Sequence, residues 1–109
     1  MVERGSLIAS SVPLAGEVFR EIVRLQNVII EEIVSSALPD PVEYRQSHDE
    51  WVVVLEGAAT LVVDGEIVTL GGGEWVLIGA QTRHRVLETE RGTRWLAVHV
   101  HPAGAVAEA

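Results

Sequence analysis

The stretch from Trp51 to Leu70 reads WVVVLEGAATLVVDGEIVTL and indicates the kind of fold that this chain adopts. It contains three short runs of β-branched and apolar residues, a composition that favours strands over helices. The runs are Trp51 to Leu55, Ala59 to Val63 and Ile67 to Leu70. Asp64-Gly65 lies between the last two runs and predicts a two-residue hairpin turn, because such a turn needs residues that tolerate positive φ.

The same pattern extends in both directions from this stretch. Further strands are predicted at Val28 to Val34, Trp75 to Ile78, Arg85 to Glu88 and Trp95 to Val100. Pro39-Asp40-Pro41 predicts a loop, since two prolines so close together suit neither a helix nor a central strand. Short strands at roughly ten-residue intervals are typical of an all-β sandwich or barrel.

One segment has a different periodicity. Between Ala15 and Leu25 the apolar residues recur at spacings of three and four, with charged residues between them. This spacing predicts one short amphipathic N-terminal helix. Ahead of it, Leu7 and Ile8 could begin a short strand.

Composition limits the possible classes of protein. The 109 residues form one domain, 1–109, in which 103–109 reads as a flexible tail. There is no cysteine, which excludes thiol chemistry and fits a reducing compartment. A net charge of −8 disfavours a nucleic-acid partner. Neither a signal peptide nor a membrane span is evident, so we expect a soluble, cytoplasmic protein.

Two segments resemble the sequence motifs of the cupin superfamily. Glu50 to Gly57 has the register of the second half of the first motif, which spans about 44–57. Gly73 to His84 repeats the spacing of the second motif, although Gly79 stands where proline is usual and Gln81 where glycine is usual. The resemblance implies a double-stranded β-helix, that is, a jelly-roll barrel of six to eight strands.

In metal-binding cupins, the resemblance implies, histidines and one glutamate hold a first-row metal inside the barrel. Glu50 and His84 occupy matching positions here, whereas the two histidine places hold Tyr44 and Gln46. His48 is the leading candidate to complete the set, because residues two apart on a strand share a face. The predicted ligands of a divalent ion (Zn, Fe, Mn or Ni) are therefore Gln46, His48, Glu50 and His84.

Other assignments stay open at this point. His99 and His101 form a second pair on one face and would join the site if that face points inward. Glu50 could instead be a buried acid paired with Arg45, Arg83 or His84, since an unpaired buried charge is costly. His48 could equally be a solvated loop residue.

Three functions are compatible with these features. The first is a metal-dependent enzyme of oxygenase, isomerase or lyase type that acts on a small organic molecule, with Tyr44 as a catalytic proton donor. The second is a non-catalytic module that binds a small ligand in the barrel. The third is an assembly unit. Trp51, Val53 and Leu55 form an apolar strand face, which predicts a homodimer unless the N-terminal helix covers it.

Overall fold

The computed structural model describes residues 2–7 and 11–103, and the chain in these ranges is built from strands. The nine strands are β1 (Glu17–Leu25), β2 (Val28–Ser35), β3 (Tyr44–Arg45), β4 (Asp49–Glu56), β5 (Ala58–Val63), β6 (Glu66–Gly71), β7 (Trp75–Ile78), β8 (Arg83–Thr89) and β9 (Thr93–Val100). The described residues contain no helix, and therefore none that could cross a membrane.

The strands form two antiparallel sheets. The larger has the order β1-β2-β9-β4-β7 and the smaller has the order β3-β8-β5-β6. Neighbours in the larger sheet are mostly distant in sequence, an arrangement consistent with a jelly roll. The all-β prediction is confirmed.

The core lies between the sheets and takes side chains from both of them. Val52, Val54, Trp95 and Ala97 come from the larger sheet and are almost completely buried. Leu61 is one of the residues that face them from the smaller sheet. Strands β4 and β9 pair along most of their length, which places Trp95 opposite Val54 in the middle of this core.

The predicted N-terminal helix is wrong. Residues 17–25 form β1, which pairs with β2 across the turn at Gln26-Asn27, where Gln26 has a φ of 51°. A β-bulge between Glu21 and Val23 shifts the register of this strand. The bulge interrupts the two-residue alternation, and the resulting spacing of apolar residues imitates a helical period. Pairing with β2 overrides that local pattern.

Both predictions for the chain termini fall partly outside the described residues. Leu7 is described and belongs to no strand, while Ile8 lies outside the described residues. The carbonyl of Leu7 accepts a hydrogen bond of 2.7 Å from Arg94. Of the predicted flexible tail, Ala103 is described within a turn, and 104–109 lie outside the described residues.

Two turns illustrate how glycine shapes the fold. Asp64 and Gly65 both have positive φ, 51° and 77°, as the predicted hairpin requires. Gly57 follows β4 with a φ of 93° and packs directly against Thr93, the first residue of β9. Thr93 is completely buried, and its hydroxyl donates to the carbonyl of Ala58. Gly57 therefore allows two backbone segments to approach closely.

We expect Gly57→Ala to destabilise the protein much more than Gly65→Ala does. The added methyl group at 57 would overlap the Thr93 hydroxyl, whereas at 65 nothing lies within 4 Å. Positive φ costs an alanine roughly 1–2 kcal/mol at either site. The overlap adds about 1–3 kcal/mol at 57 only. Urea unfolding of the two variants measures the difference, and equal losses would contradict it.

The outer face of the larger sheet is apolar over several strands. Trp51 lies opposite Leu77 on β7 and Val98 on β9, and Val53 lies opposite Trp75 and Leu96. We call these six residues the outer patch. Trp75 and Leu77 are 57% and 60% exposed, and the rings of Trp51 and Trp75 lie 6.0 Å apart. The alternative was that a helix at 15–25 covers this face, and the structure has no such helix. The homodimer remains a prediction.

We expect the protein to sediment at twice the 11.8 kDa mass of the chain at micromolar concentration. Burial of the outer patch against a second copy would provide the driving force. Trp75→Glu should then produce a monomer, because it places a charge in the interface. Ile67→Glu is the matched control, since Ile67 is 68% exposed on the smaller sheet. A monomeric wild-type protein would contradict the dimer.

Candidate functional site

A cavity of about 90 Å³ opens between the two sheets. Most of its wall is apolar and belongs to the same residues that form the core. The polar side chains that line it are Glu17, Glu31, Tyr44, Gln46, Glu50, His84 and His99. An apolar cavity with a few convergent polar groups is the usual form of a small-molecule site.

Glu50 is at the centre of this polar group. Its Oε1 lies 3.7 Å from Nε2 of His84, and its Oε2 lies 4.0 Å from Nε2 of His99. His84 belongs to the smaller sheet, whereas His99 is the direct cross-strand neighbour of Glu50 in the larger sheet. Glu50 and His84 are both buried. The carboxylate is thus placed between imidazoles that come from opposite sides of the core.

A hydrogen bond to the backbone fixes the orientation of the His84 ring. Its Nδ1 lies 3.0 Å from the carbonyl oxygen of Thr82, which can only accept, so Nδ1 carries a proton and donates it. Nε2 is then left without a proton in the neutral ring and faces Glu50. Tyr44 stacks on the other side of the ring, with centroids 5.7 Å apart. Burial raises the pKa of Tyr44, with the nearby charge of Glu17 adding to the effect, so the phenol stays protonated.

His99 belongs to a chain of hydrogen bonds that leaves the cavity. Its Nε2 lies 2.8 Å from Oε1 of Glu31, and its Nδ1 lies 2.9 Å from Nε2 of His48. Burial lowers the pKa of His99, but the hydrogen bond to Glu31 and the charges of Glu50 and Glu31 together outweigh it and raise the pKa. Burial and the neighbouring His101 and His99 lower the pKa of His48. Because a carboxylate accepts, Nε2 of His99 donates to Glu31; the hydrogen between the two rings is then donated by His99 when that ring is cationic and by His48 when it is neutral.

Two carboxyl groups in the cavity wall have a raised pKa. Burial is the main cause for both Glu17 and Glu50. For Glu50 the positive charges of His99 and His84 oppose the effect, and for Glu17 a hydrogen bond from the Ser35 hydroxyl does so. Groups whose pKa is shifted by burial within a cleft are candidates for proton transfer.

The structure brings together most of the residues that were predicted for the site. Tyr44, Gln46, Glu50 and His84 all line the cavity. His48 does not: it lines a separate outer cleft, where its ring packs 4.3 Å from that of His101. The expected same-face arrangement fails at His48 because the backbone between β3 and β4 is a loop rather than a continuous strand.

A match to a family model identifies the family of this chain. The sequence model of the cupin domain matches residues 31–101, which is more than half of the chain. The chain belongs to the cupin family. No functionally curated protein matches it significantly.

Solved structures agree with this membership. A candidate mannose-6-phosphate isomerase from Ralstonia eutropha JMP134 is 33% identical, with a TM-score of 0.78 over 92% of this chain and 99% of that one. A conserved protein of unknown function from Streptococcus pyogenes is 19% identical, with a TM-score of 0.78 over 94% and 93% of the two chains. KdgF from Halomonas sp. is 14% identical, with a TM-score of 0.74 over 82% of each chain.

This cupin keeps the backbone of the second motif despite its unusual residues. Gln81, in the place of the usual glycine, has a φ of 65° and so adopts the left-handed conformation itself. Its amide donates to the carbonyl of Gln46 at 2.6 Å, while Ala80 donates to Asp49 at 2.8 Å. The turn before His84 is thereby tied to the segment that carries Gln46.

Sequence reasoning missed Glu17 and Glu31. Glu17 lies in the segment that was read as a helix, and its place on an inward-facing strand could not follow from that assignment. Glu31 belongs to a correctly predicted strand, but two adjacent glutamates occupy 31 and 32. Glu32 points to the outer face, where Arg20 and Arg94 bind its buried carboxylate at 3.0 and 2.8 Å. Strand alternation alone leaves open which of the two glutamates faces inward.

We expect Glu50→Gln to stabilise the metal-free protein near neutral pH. A carboxyl group whose pKa is raised by folding weakens the folded state above its ordinary pKa, because the unfolded chain ionises more readily. The gain should be present at pH 7.5 and should shrink as the pH falls through the folded pKa toward 4.5, the ordinary value. Urea unfolding in the presence of a chelator measures it.

Glu66 is exposed, so Glu66→Gln serves as the control and should leave the free energy of unfolding unchanged at pH 7.5 and at the lower pH. A loss of stability in Glu50→Gln at pH 7.5 would mean that attraction to His84 and His99 outweighs the cost of burying the carboxylate.

Proposed function

We propose that this cupin is a metal-dependent enzyme of isomerase or lyase type that moves a proton on a small organic molecule. The observation that carries the proposal is the position of the Glu50 carboxylate between two imidazole Nε2 atoms in an apolar cavity. The 33% identical relative from Ralstonia eutropha is described as a candidate isomerase, which supports the reaction class.

The donor atoms suit a divalent ion. Ligands that share an ion at about 2.0–2.2 Å lie no more than about 4 Å from one another, and both Glu50–imidazole distances fall within that limit. Gln46 lines the same cavity, and its Oε1 is buried without a hydrogen-bond partner. A buried acceptor without a partner is rare and suits an additional ligand.

The ligands that we propose are therefore Glu50, His84, His99 and Gln46. No three histidine or acidic side chains among the described residues are already arranged around one point as a metal would require. His99 would have to exchange its bond with Glu31 for the ion. His48 remains a weaker candidate, because its Nε2 is bound to His99. We propose that it orients His99 instead.

The bound metal would supply Lewis-acid polarisation of a substrate oxygen. The remaining polar groups of the cavity would handle the proton. Glu17 has a raised pKa and can accept and return a proton near neutral pH. Tyr44 lies on His84 with its phenol protonated and can donate a hydrogen bond or a proton to the substrate.

A second candidate is the binding of a small ligand without catalysis. It is favoured by the lack of a preformed metal arrangement among the described residues and by the mostly apolar wall. In that case Glu50 and His84 would be the polar anchors of the ligand in a mostly apolar cavity. Metal content separates the two candidates.

We expect protein purified without an affinity tag or added metal to contain a divalent first-row ion. Glu50→Ala, His84→Ala and His99→Ala should each reduce its affinity more than about tenfold, because each removes a ligand. His101→Ala is the control, since His101 lines the outer cleft and reaches the proposed ligands only through the ring of His48. Elemental analysis and metal titration, with circular dichroism to check folding, decide the matter. A protein that neither contains metal nor binds it at micromolar concentration would leave only the ligand-binding candidate.

A further inference from the structure

We infer that the substrate is an uncharged molecule with an apolar body and a hydroxyl group, and that it is not a sugar phosphate. The inference rests on the proposed function, since it names the substrate class of the same cavity. It departs from the description of the Ralstonia eutropha relative, whose named substrate is a sugar phosphate.

The charges of the cavity disfavour an anion. Three carboxyl groups line it, those of Glu17, Glu31 and Glu50, against the imidazoles of His84 and His99. Narrow clefts with low-dielectric walls concentrate the field of the charges that line them. In the metal-free cavity the three carboxyl groups outnumber the two imidazoles, so a phosphate group that carries about two negative charges would be repelled.

The cationic side chains that recognise phosphate lie elsewhere. All eight basic residues of the chain are arginines, and within the described part of the chain none of them lines the cavity. Arg20 and Arg94 bind the carboxylate of Glu32 on the outer face. Arg45 and Arg83 are exposed cross-strand neighbours, and they alternate with Tyr44 and His84, which line the cavity. Phosphate sites in proteins normally use arginine or lysine donors, or the amides of a helix N-terminus.

The walls disfavour a free sugar as well. Apolar surface predominates, with Val52, Leu61, Ile78 and Trp95 among the lining residues. A hydroxyl group that is buried against such a wall loses its hydrogen bonds to water without replacement, and each loss is costly. A ligand with hydroxyl groups on every side does not match this surface, whereas an apolar body does.

The polar groups favour a ligand that donates hydrogen bonds at one end. Carboxylates accept hydrogen bonds, and those of Glu17 and Glu31 line the cavity without being among the proposed metal ligands. At the opening Phe19 is 51% exposed and Tyr44 is 37% exposed, so two aromatic rings are available to contact the part of the ligand that lies outside. One hydroxyl group directed inward and an apolar body toward the opening satisfy both parts of the cavity.

The test uses matched pairs of probes with the metal-free full chain. Phenol and phenyl phosphate differ by the phosphate group, and so do mannose and mannose 6-phosphate. We expect phenol to bind at least tenfold more tightly than either phenyl phosphate or mannose. Mannose 6-phosphate and inorganic phosphate should not bind in the cavity. Ligand-observed NMR with competition by phenol measures the order of affinity.

Glu17→Gln should raise the affinity for phenyl phosphate relative to the affinity for phenol, because it removes one repelling charge. Glu66→Gln removes the same charge on an exposed hairpin and should change neither affinity. Tighter binding of either phosphorylated probe, tighter binding of mannose than of phenol, or no binding of phenol would overturn the inference. Because the probes are tested without metal, the result does not depend on whether the protein binds an ion, which separates it from a failure of the proposed function.

Discussion

The burial of one carboxylate between two imidazoles constrains much of the rest of this structure. Glu50 lies opposite His99 within the larger sheet and faces His84 from the smaller one, so the group forms only when both sheets are in register. Removing a carboxylate from water is unfavourable unless charged or hydrogen-bonding partners replace the water. The positions of β4, β8 and β9 are therefore linked through a single side chain.

The surrounding hydrogen bonds orient the imidazole rings of His84 and His99. The Thr82 carbonyl holds one imidazole, while Glu31 and His48 hold the other from two sides. Such contacts determine which nitrogen of each ring faces the cavity. Because the chain of His48 and His101 continues to an outer cleft, the electrostatic surroundings of Glu50 extend beyond the cavity that it lines.

The polar groups that line the cavity of this cupin differ from the ligand set that its motifs suggest. Tyr44 and Gln46 occupy the positions where histidines are usual, and both line the cavity. His99, on the last strand, brings a second imidazole to the same place from outside both motifs. An imidazole can reach this cavity from β9 because that strand lies between β2 and β4 in the larger sheet.

The local sequence determined seven of the nine strands of the described residues and the Asp64-Gly65 turn, because β-branched runs and turn residues act over a few neighbours. Only the tertiary structure decided that 17–25 is a strand, that His99 lines the cavity and that His48 does not. A bulge, a loop between β3 and β4, and the pairing of strands far apart in sequence produced these results. Each depends on long-range register, which a single sequence does not encode in any local pattern.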